Sequence, residues 1–233
     1  MIIILIFGTL KREWRRERSM GKRGLFAVFE GIDGSGTSTQ VLKLIERLEG
    51  HNKYQDVMKT HEPWRSAELK RRLAEDRDAY SDARRCAELF IADRVAHSRE
   101  LIEPTLERGA VVISDNYAMT TCAYQTAQGL PTPELIQMQL ARGLVLPDIT
   151  FFVDLPADVA MGRIQSRSAN SEKFEHDEFL AKVARNYQSL AASSVSGHPL
   201  FGRVVRVDGT QPIGIVASNV WSEFVKVYNA HQA

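Results

Sequence analysis

The sequence predicts an α/β fold, one five-stranded parallel sheet with helices on both faces, and three observations carry that prediction. Short apolar runs recur along the chain, helical patterns alternate with them, and a glycine-rich turn joins the first run to the first helix. Strands that are apolar on both faces and alternate with helices belong to a parallel sheet covered on both sides. The first strand is Leu25 to Glu30 (LFAVFE), and the first helix is Ser38 to Glu49, with Val41, Leu42, Leu44, Ile45 and Leu48 as its apolar positions. Further strands are predicted at Asp56–Thr60, Ala110–Ser114, Ile149–Val153 and Arg203–Val207. Helices are predicted at Ala67–Leu73, Asp82–Arg108, Pro133–Leu140, Ala157–Arg167, His176–Ala192 and Pro212–Tyr228. In a doubly wound sheet ligands sit at the carboxyl ends of the strands, so function is sought in the residues just after each one.

Composition sets the bounds. The chain has 233 residues, 44% hydrophobic and 25% charged, enough for one sizeable core and one domain. Thirty basic residues against twenty-nine acidic ones leave a net charge of +1, so no global field recruits nucleic acid or an anionic membrane. Cys86 and Cys122 have neither disulfide-framework nor zinc-site spacing and read as buried thiols of a cytoplasmic protein. Residues 1–19 stand apart: the apolar run Ile2 to Phe7 is too short to span a bilayer and precedes the charged stretch Lys11 to Arg18, the reverse of a secretory signal. They are expected to be an extension outside the fold, with residues 20–233 forming the domain and a targeting peptide as the second reading.

The turn Gly31-Ile32-Asp33-Gly34-Ser35-Gly36-Thr37-Ser38, followed by Thr39, has the length and glycine placement of a phosphate-binding loop, in which amide groups converge on a phosphate at a helix amino end. Ser38 occupies the Mg²⁺-ligand position. Thr37 stands where that pattern has lysine, and a plain tight connection between strand and helix also fits. Farther on, Phe90, Arg94 and His97 fall on one helical stripe. A ring and a guanidinium there suit a flat base, although spacing alone favours an amphipathic helix with a core phenylalanine and a solvated arginine.

The segment FEGIDGSGTSTQ, from Phe29 to Gln40, resembles the opening motif of thymidylate kinases, members of the P-loop kinases of nucleoside monophosphates. Three other segments resemble the same family in the same order. LFIADRVAH at Leu89–His97 matches LFxADRxxH, Asp115–Gln125 is similar to DR[YH]xxSSxAYQ, and Thr60-His61-Glu62-Pro63 is similar to TREPG. The resemblance implies transfer of the γ-phosphoryl group of ATP to dTMP, giving dTDP and ADP in dTTP synthesis, with Mg²⁺ as cofactor and a homodimer as assembly. It places ATP on Gly31, Asp33, Gly34, Ser35, Gly36, Thr37, Ser38 and Thr39, and Mg²⁺ on Ser38 and Asp115. It assigns the acceptor to Asp33, Glu62, Phe90, Arg94, Asn116, Tyr117, Thr121 and Gln125. Asp33 meets the sugar 3′-hydroxyl, Phe90 and Arg94 meet the base, and Tyr117 walls the sugar; His97 is read as structural.

A short lid is expected at about residues 163–175, with Arg163, Arg167 and Lys173 as the catalytic cations beside Asp33. Basic residues at a helix carboxyl end also suit the helix dipole, which leaves Arg163 and Arg167 a second reading. Three cations of the family pattern are absent, with Thr37 for lysine, His61 for arginine and Asn116 for arginine; Arg65 is the nearby candidate to replace the second. The alternatives are a weakened or inactive nucleotide-binding homologue, or a kinase for another pyrimidine monophosphate.

Overall fold

A computed structural model describes residues 22–75, 82–166, 173–192 and 198–232. The expected extension at 1–19, Arg167 and the middle of the expected lid lie outside the described residues. The strands are β1 (Phe26–Glu30), β2 (Val57–His61), β3 (Val111–Asp115), β4 (Ile149–Asp154) and β5 (Arg203–Asp208), in spatial order β2-β3-β1-β4-β5. Every neighbouring pair is parallel. β3 flanks β1 on one side and β4 on the other, and the chain changes side between β3 and β4, which makes the carboxyl end of β1 the crevice of the sheet.

Sequence dictates this order. The three inner strands, FAVFE, VVISD and ITFFVD, are buried along their whole length, as strands covered on both faces must be. The outer strands β2 and β5 carry exposed Lys59, Arg203 and Arg206, charges that suit a sheet edge. Alternate residues of β1 feed two cores: Phe26 and Val28 pack with Phe152, Val183 and Tyr187 on one face, while Ala27 and Phe29 pack with Val41, Phe151 and Phe224 on the other.

The helices are α1 (Thr37–His51), α2 (Ala67–Glu75), α3 (Ala83–His97), α4 (Glu103–Glu107), α5 (Ala118–Ala127), α6 (Thr132–Leu140), α7 (Ala157–Gln165), α8 (Lys173–Ala191) and α9 (Ile213–Gln232). One correction concerns the single helix expected over Asp82–Arg108. Asp82 caps it, its side chain accepting from the Arg85 amide at 2.9 Å. At Ser98–Ile102, however, the ladder widens into a π-turn whose last amide, Glu103 N–H, reaches back to Ser98 O. Pro104 explains the change, since it has no N–H and its ring would press on the carbonyl four residues earlier.

One carboxylate ties the crevice together. Glu30, the last residue of β1, is fully buried; its Oε1 accepts from the Tyr117 and Met119 amides, both at 3.0 Å. Its Oε2 accepts from Thr120 Oγ1 at 2.6 Å and from the Tyr187 hydroxyl at 3.1 Å. Loss of solvent outweighs these bonds and pushes the Glu30 carboxyl up from 4.5 to about 7. The folded protein therefore holds this proton more tightly than the unfolded chain. The associated stability is fully present below pH 4.5 and is lost as pH rises through about 7. Glu30→Gln keeps an acceptor for the two amides and removes the titration. Denaturant midpoints measured from pH 4.5 to 8 are expected to show the parent losing up to about 3 kcal/mol relative to the variant.

Candidate active site

The loop between β1 and α1 is held open by its glycines. Gly34 and Gly36 have φ of 82° and 97°, a region that side chains disfavour, and a Cβ on Gly34 would lie 2.7 Å from the Ala160 carbonyl oxygen. The turn closes through the Ser35 amide donating to Ile32 O at 3.0 Å. Gly36 caps α1 without a side-chain bond, and the first turn of α1 has no acidic residue, so the amino end of the helix is left to an anion. A cavity of about 140 Å³ opens there, bounded by the loop with Asp115 and Asn116. Across it the Ser38 hydroxyl donates to Asp115 Oδ2, while Asp115 Oδ1 is buried with no hydrogen-bond partner among the described residues. Two hard oxygen-bearing side chains, with one carboxylate oxygen unpartnered, fit a magnesium ion.

A second cavity of about 170 Å³ lies on the β2–β3 side. Asp33, Glu62, Phe90, Arg94, Asn116 and Gln125, all expected at the acceptor, border it. Arg94 and Gln125 are both fully buried, with 0% accessibility. Arg94 Nε donates to Glu62 Oε2 at 2.8 Å, one terminal nitrogen donates to Gln139 Oε1 at 2.5 Å, and the other donates to Tyr117 O at 2.7 Å and Thr121 Oγ1 at 3.0 Å. The second Glu62 oxygen lies 3.0 Å from His97 Nδ1, whose ring partner Nε2 lies 2.7 Å from Thr60 Oγ1. His97 is thus a buried brace between β2 and α3. Gln125 is buried too; its Nε2 is 3.3 Å from Gln128 Oε1, and its Oε1 has no hydrogen-bond partner among the described residues.

Three expectations are corrected here. Tyr117 does not wall the cleft: its ring packs edge-on against Phe26 with centroids 5.1 Å apart, and its hydroxyl donates to Val145 O at 2.9 Å. The turn at Asn116, with φ of 67°, sends the next side chain into the core. Thr121 faces Arg94 rather than the cavity, which Thr120 and Tyr124 border instead. One helical step decides this, and the i, i+4 pairing of Thr120 with Tyr124 was the missed signal. The Tyr124 hydroxyl donates to Asp33 Oδ2 at 3.4 Å. Arg65 does not replace the arginine absent at His61. Its amide, with those of Trp64 and Ser66, is held by Asp93. Its guanidinium lies over the Trp64 ring at 4.2 Å and pairs with Glu100.

A third cavity, of about 250 Å³, lies on the β5 side and is bordered by Gly34, Gln40, Arg163, Gln211 and Ile213. Arg163 is corrected as well. Its terminal nitrogens donate to Gly34 O and Ser35 O, each at 3.4 Å, and to Gly209 O at 3.0 Å. The guanidinium therefore spans three backbone carbonyls and borders the β5-side cavity, not the loop cavity. Lys173 begins α8, but its side chain, like Arg167, lies outside the described part. Gln211 and Ile213 were not foreseen, although both follow β5 at its carboxyl end.

The three cavities adjoin. Asp33 and Asn116 border both the acceptor-side and loop cavities, and Gly34, Gly36 and Thr39 border both the loop and β5-side cavities. An anion-ready turn thus sits between two clefts, as direct transfer between two bound nucleotides requires. The family model for thymidylate kinase matches residues 29–219, which span all three. The chain belongs to the thymidylate kinase family. A probable thymidylate kinase of Thermococcus kodakarensis is 42% identical over 72% of this chain and 84% of its own length. The thymidylate kinases of Desulforudis audaxviator and Fervidobacterium nodosum are 34% and 32% identical, covering 85% and 89% of this chain and 89% and 100% of their own.

In this chain, Arg94→Ala leaves Glu62 buried without its cation, and unfolding measurements are expected to show a loss of about 3–5 kcal/mol. Phe90→Ala, at a half-buried rim position, is expected to cost about 1 kcal/mol or less of stability while weakening acceptor binding several-fold. Calorimetric titration with dTMP reads that difference.

Proposed function

We propose that the chain transfers the γ-phosphoryl group of ATP to the phosphate of dTMP, forming ADP and dTDP. The adjoining of an amide-lined loop cavity to one cleft on each side is the observation that carries this reading. The loop amides from Gly34 to Ser38 cradle the polyphosphate, and the donor base lies along Gln211 and Ile213. Ser38 and Asp115 would hold Mg²⁺, which neutralises charge on the donor phosphates when bound. On the acceptor side Phe90 stacks on thymine, Gln125 faces the base edge, and Asp33, steadied by Tyr124, accepts from the sugar 3′-hydroxyl.

The acceptor phosphate arrives already ionised at neutral pH, so no side chain has to take a proton from it. Catalysis then consists of holding two phosphates in line, excluding water and offsetting charge as it spreads over the transferred group. Arg94 contributes by holding Glu62 and the first turn of α5 in place, since four of its five N–H donors are engaged by protein. Arg167 and Lys173 are the remaining lid cations for the transferred group. The family reading also carries a homodimer that acts in the cytoplasm without nucleic acid. No helix among the described residues is long and apolar enough to cross a membrane.

A coupled assay with ATP, Mg²⁺ and a panel of dTMP, dUMP, dCMP and AMP tests the proposal. dTMP is expected to be the best acceptor, and absence of dTDP under every condition would sink it. Chelating the metal is expected to abolish turnover. Ser38→Ala is expected to lower kcat/KM by about 10- to 100-fold, with the loss partly recovered at high Mg²⁺, by the usual worth of one charge-assisted contact.

A further inference from the structure

We propose that Glu30 is a positioning residue for the acceptor nucleotide and works as the neutral acid, so that acceptor binding is coupled to a proton on its Oε2. The inference rests on the acceptor reading of the β2–β3-side cavity given above.

Glu30 Oε2, Thr120 Oγ1 and the Tyr187 hydroxyl oxygen form a triangle with sides of 2.6, 2.9 and 3.1 Å. Each side is short enough for a hydrogen bond, yet the two hydroxyls bring only two hydrogens. With Glu30 ionised, one side has two oxygens facing each other and no hydrogen between them. A proton on Glu30 supplies the third hydrogen and closes the ring. It belongs on Oε2, because the neighbours of Oε1 are the Tyr117 and Met119 amides, which are donors.

The surroundings favour that proton. The charged and titratable groups facing Glu30 are Arg94 of α3, Glu62 after β2, Cys122 of α5 and Tyr187 of α8. Burial pushes the Cys122 thiol up to about 12 and raises the Tyr187 phenol as well, so both stay neutral near pH 7. Arg94 is bonded to Glu62 at 2.8 Å, and at Glu30 the loss of solvent outweighs the guanidinium.

The ring joins two helices behind the acceptor cavity. Thr120, Tyr124 and Gln125, all of α5, border that cavity. Tyr187 anchors α8 by stacking on Phe152, with centroids 5.5 Å apart. The same helix backs the cavity wall: Phe179 packs against Tyr124 with centroids 6.2 Å apart, and Asn186 Nδ2 donates to Ala123 O at 2.9 Å. Opening one side of the triangle loosens α5 against α8, so acceptor affinity falls as Glu30 ionises. By reciprocity, acceptor binding draws a proton onto Glu30.

Calorimetric titration of the full chain and of Glu30→Gln with dTMP, from about pH 6 to about pH 8.5, tests the coupling. Glutamine offers a carbonyl to the two amides and an NH₂ to the two hydroxyls, so it stands for the neutral acid at every pH. The dTMP phosphate titrates in the same range, but equally for both proteins, and the ratio of their dissociation constants isolates Glu30. The ratio of parent to variant is expected to rise about five- to tenfold across the range, with the parent taking up about half a proton more per dTMP near pH 7.5, read in buffers of different ionisation enthalpy. A flat ratio, or equal proton uptake, overturns the proposal. Tyr187→Phe is the independent check should Glu30→Gln fail to fold. It leaves only the contact between Glu30 and Thr120, which the threonine hydrogen fills in either state, so the parent's affinity is expected to fall relative to this variant as pH rises; a parallel fall in both overturns the proposal. A chain that binds dTMP with the extra proton yet forms no dTDP refutes the kinase reading and keeps the coupling. One that forms dTDP with a flat ratio keeps the kinase reading alone, and absence of dTMP binding at every pH overturns both.

Discussion

The buried guanidinium of Arg94 is the constraint on which the acceptor half of the molecule depends. A charge removed from water is costly unless its donors find acceptors, and here four acceptors come from four places in the chain: Glu62 after β2, Gln139 of α6, the Tyr117 carbonyl after β3 and Thr121 of α5. Their mutual positions are therefore fixed by one planar group. Glu62 is in turn shared with His97, which reaches Thr60, so the exit of β2 and the helix facing it are locked by the same network. The cavity on the β2–β3 side is the space this network leaves between α3 and α5.

On the other side of the crevice Glu30 plays the corresponding part. It joins the end of β1 to the amino end of α5 and to Tyr187 of α8. Two buried carboxylates thus hold the same helix, α5, from opposite sides, one through Arg94 and one through its own backbone amides. Their environments differ in kind. Glu62 has a cation against it, whereas Glu30 has only neutral donors, which is why burial raises the Glu30 carboxyl so far.

Much of this was legible from residue order. The inner strands announced themselves by being apolar on both faces, and the turn from Gly31 to Ser38 by its glycines and its place between strand and helix. The acceptor motif was legible as a stripe on α3, but the stripe could not say where the guanidinium ends. Four of its partners are distant in sequence, so Arg94 reads equally as a solvated side chain until the fold brings Glu62 and Gln139 to it. Tyr117 and Thr121 were misplaced for a local reason: one residue in left-handed geometry, Asn116, sets the phase of everything after it, and a phase error of one helical step exchanges Thr121 for Thr120. The wall of the β5-side cavity at Gln211 and Ile213 has no motif of its own and becomes visible only from the strand end that precedes it.

The charged rims of the sheet limit how copies of the chain meet. A strand added beside β2 would lie against Lys59, and one beside β5 against Arg203 and Arg206, whose heads are tied to Glu223 and Asp154. Docking there strips water from fixed ion pairs and offers little apolar contact in exchange. Self-association by sheet extension is thereby disfavoured, which keeps both edges of the sheet as single rims beside the crevice at the strand ends.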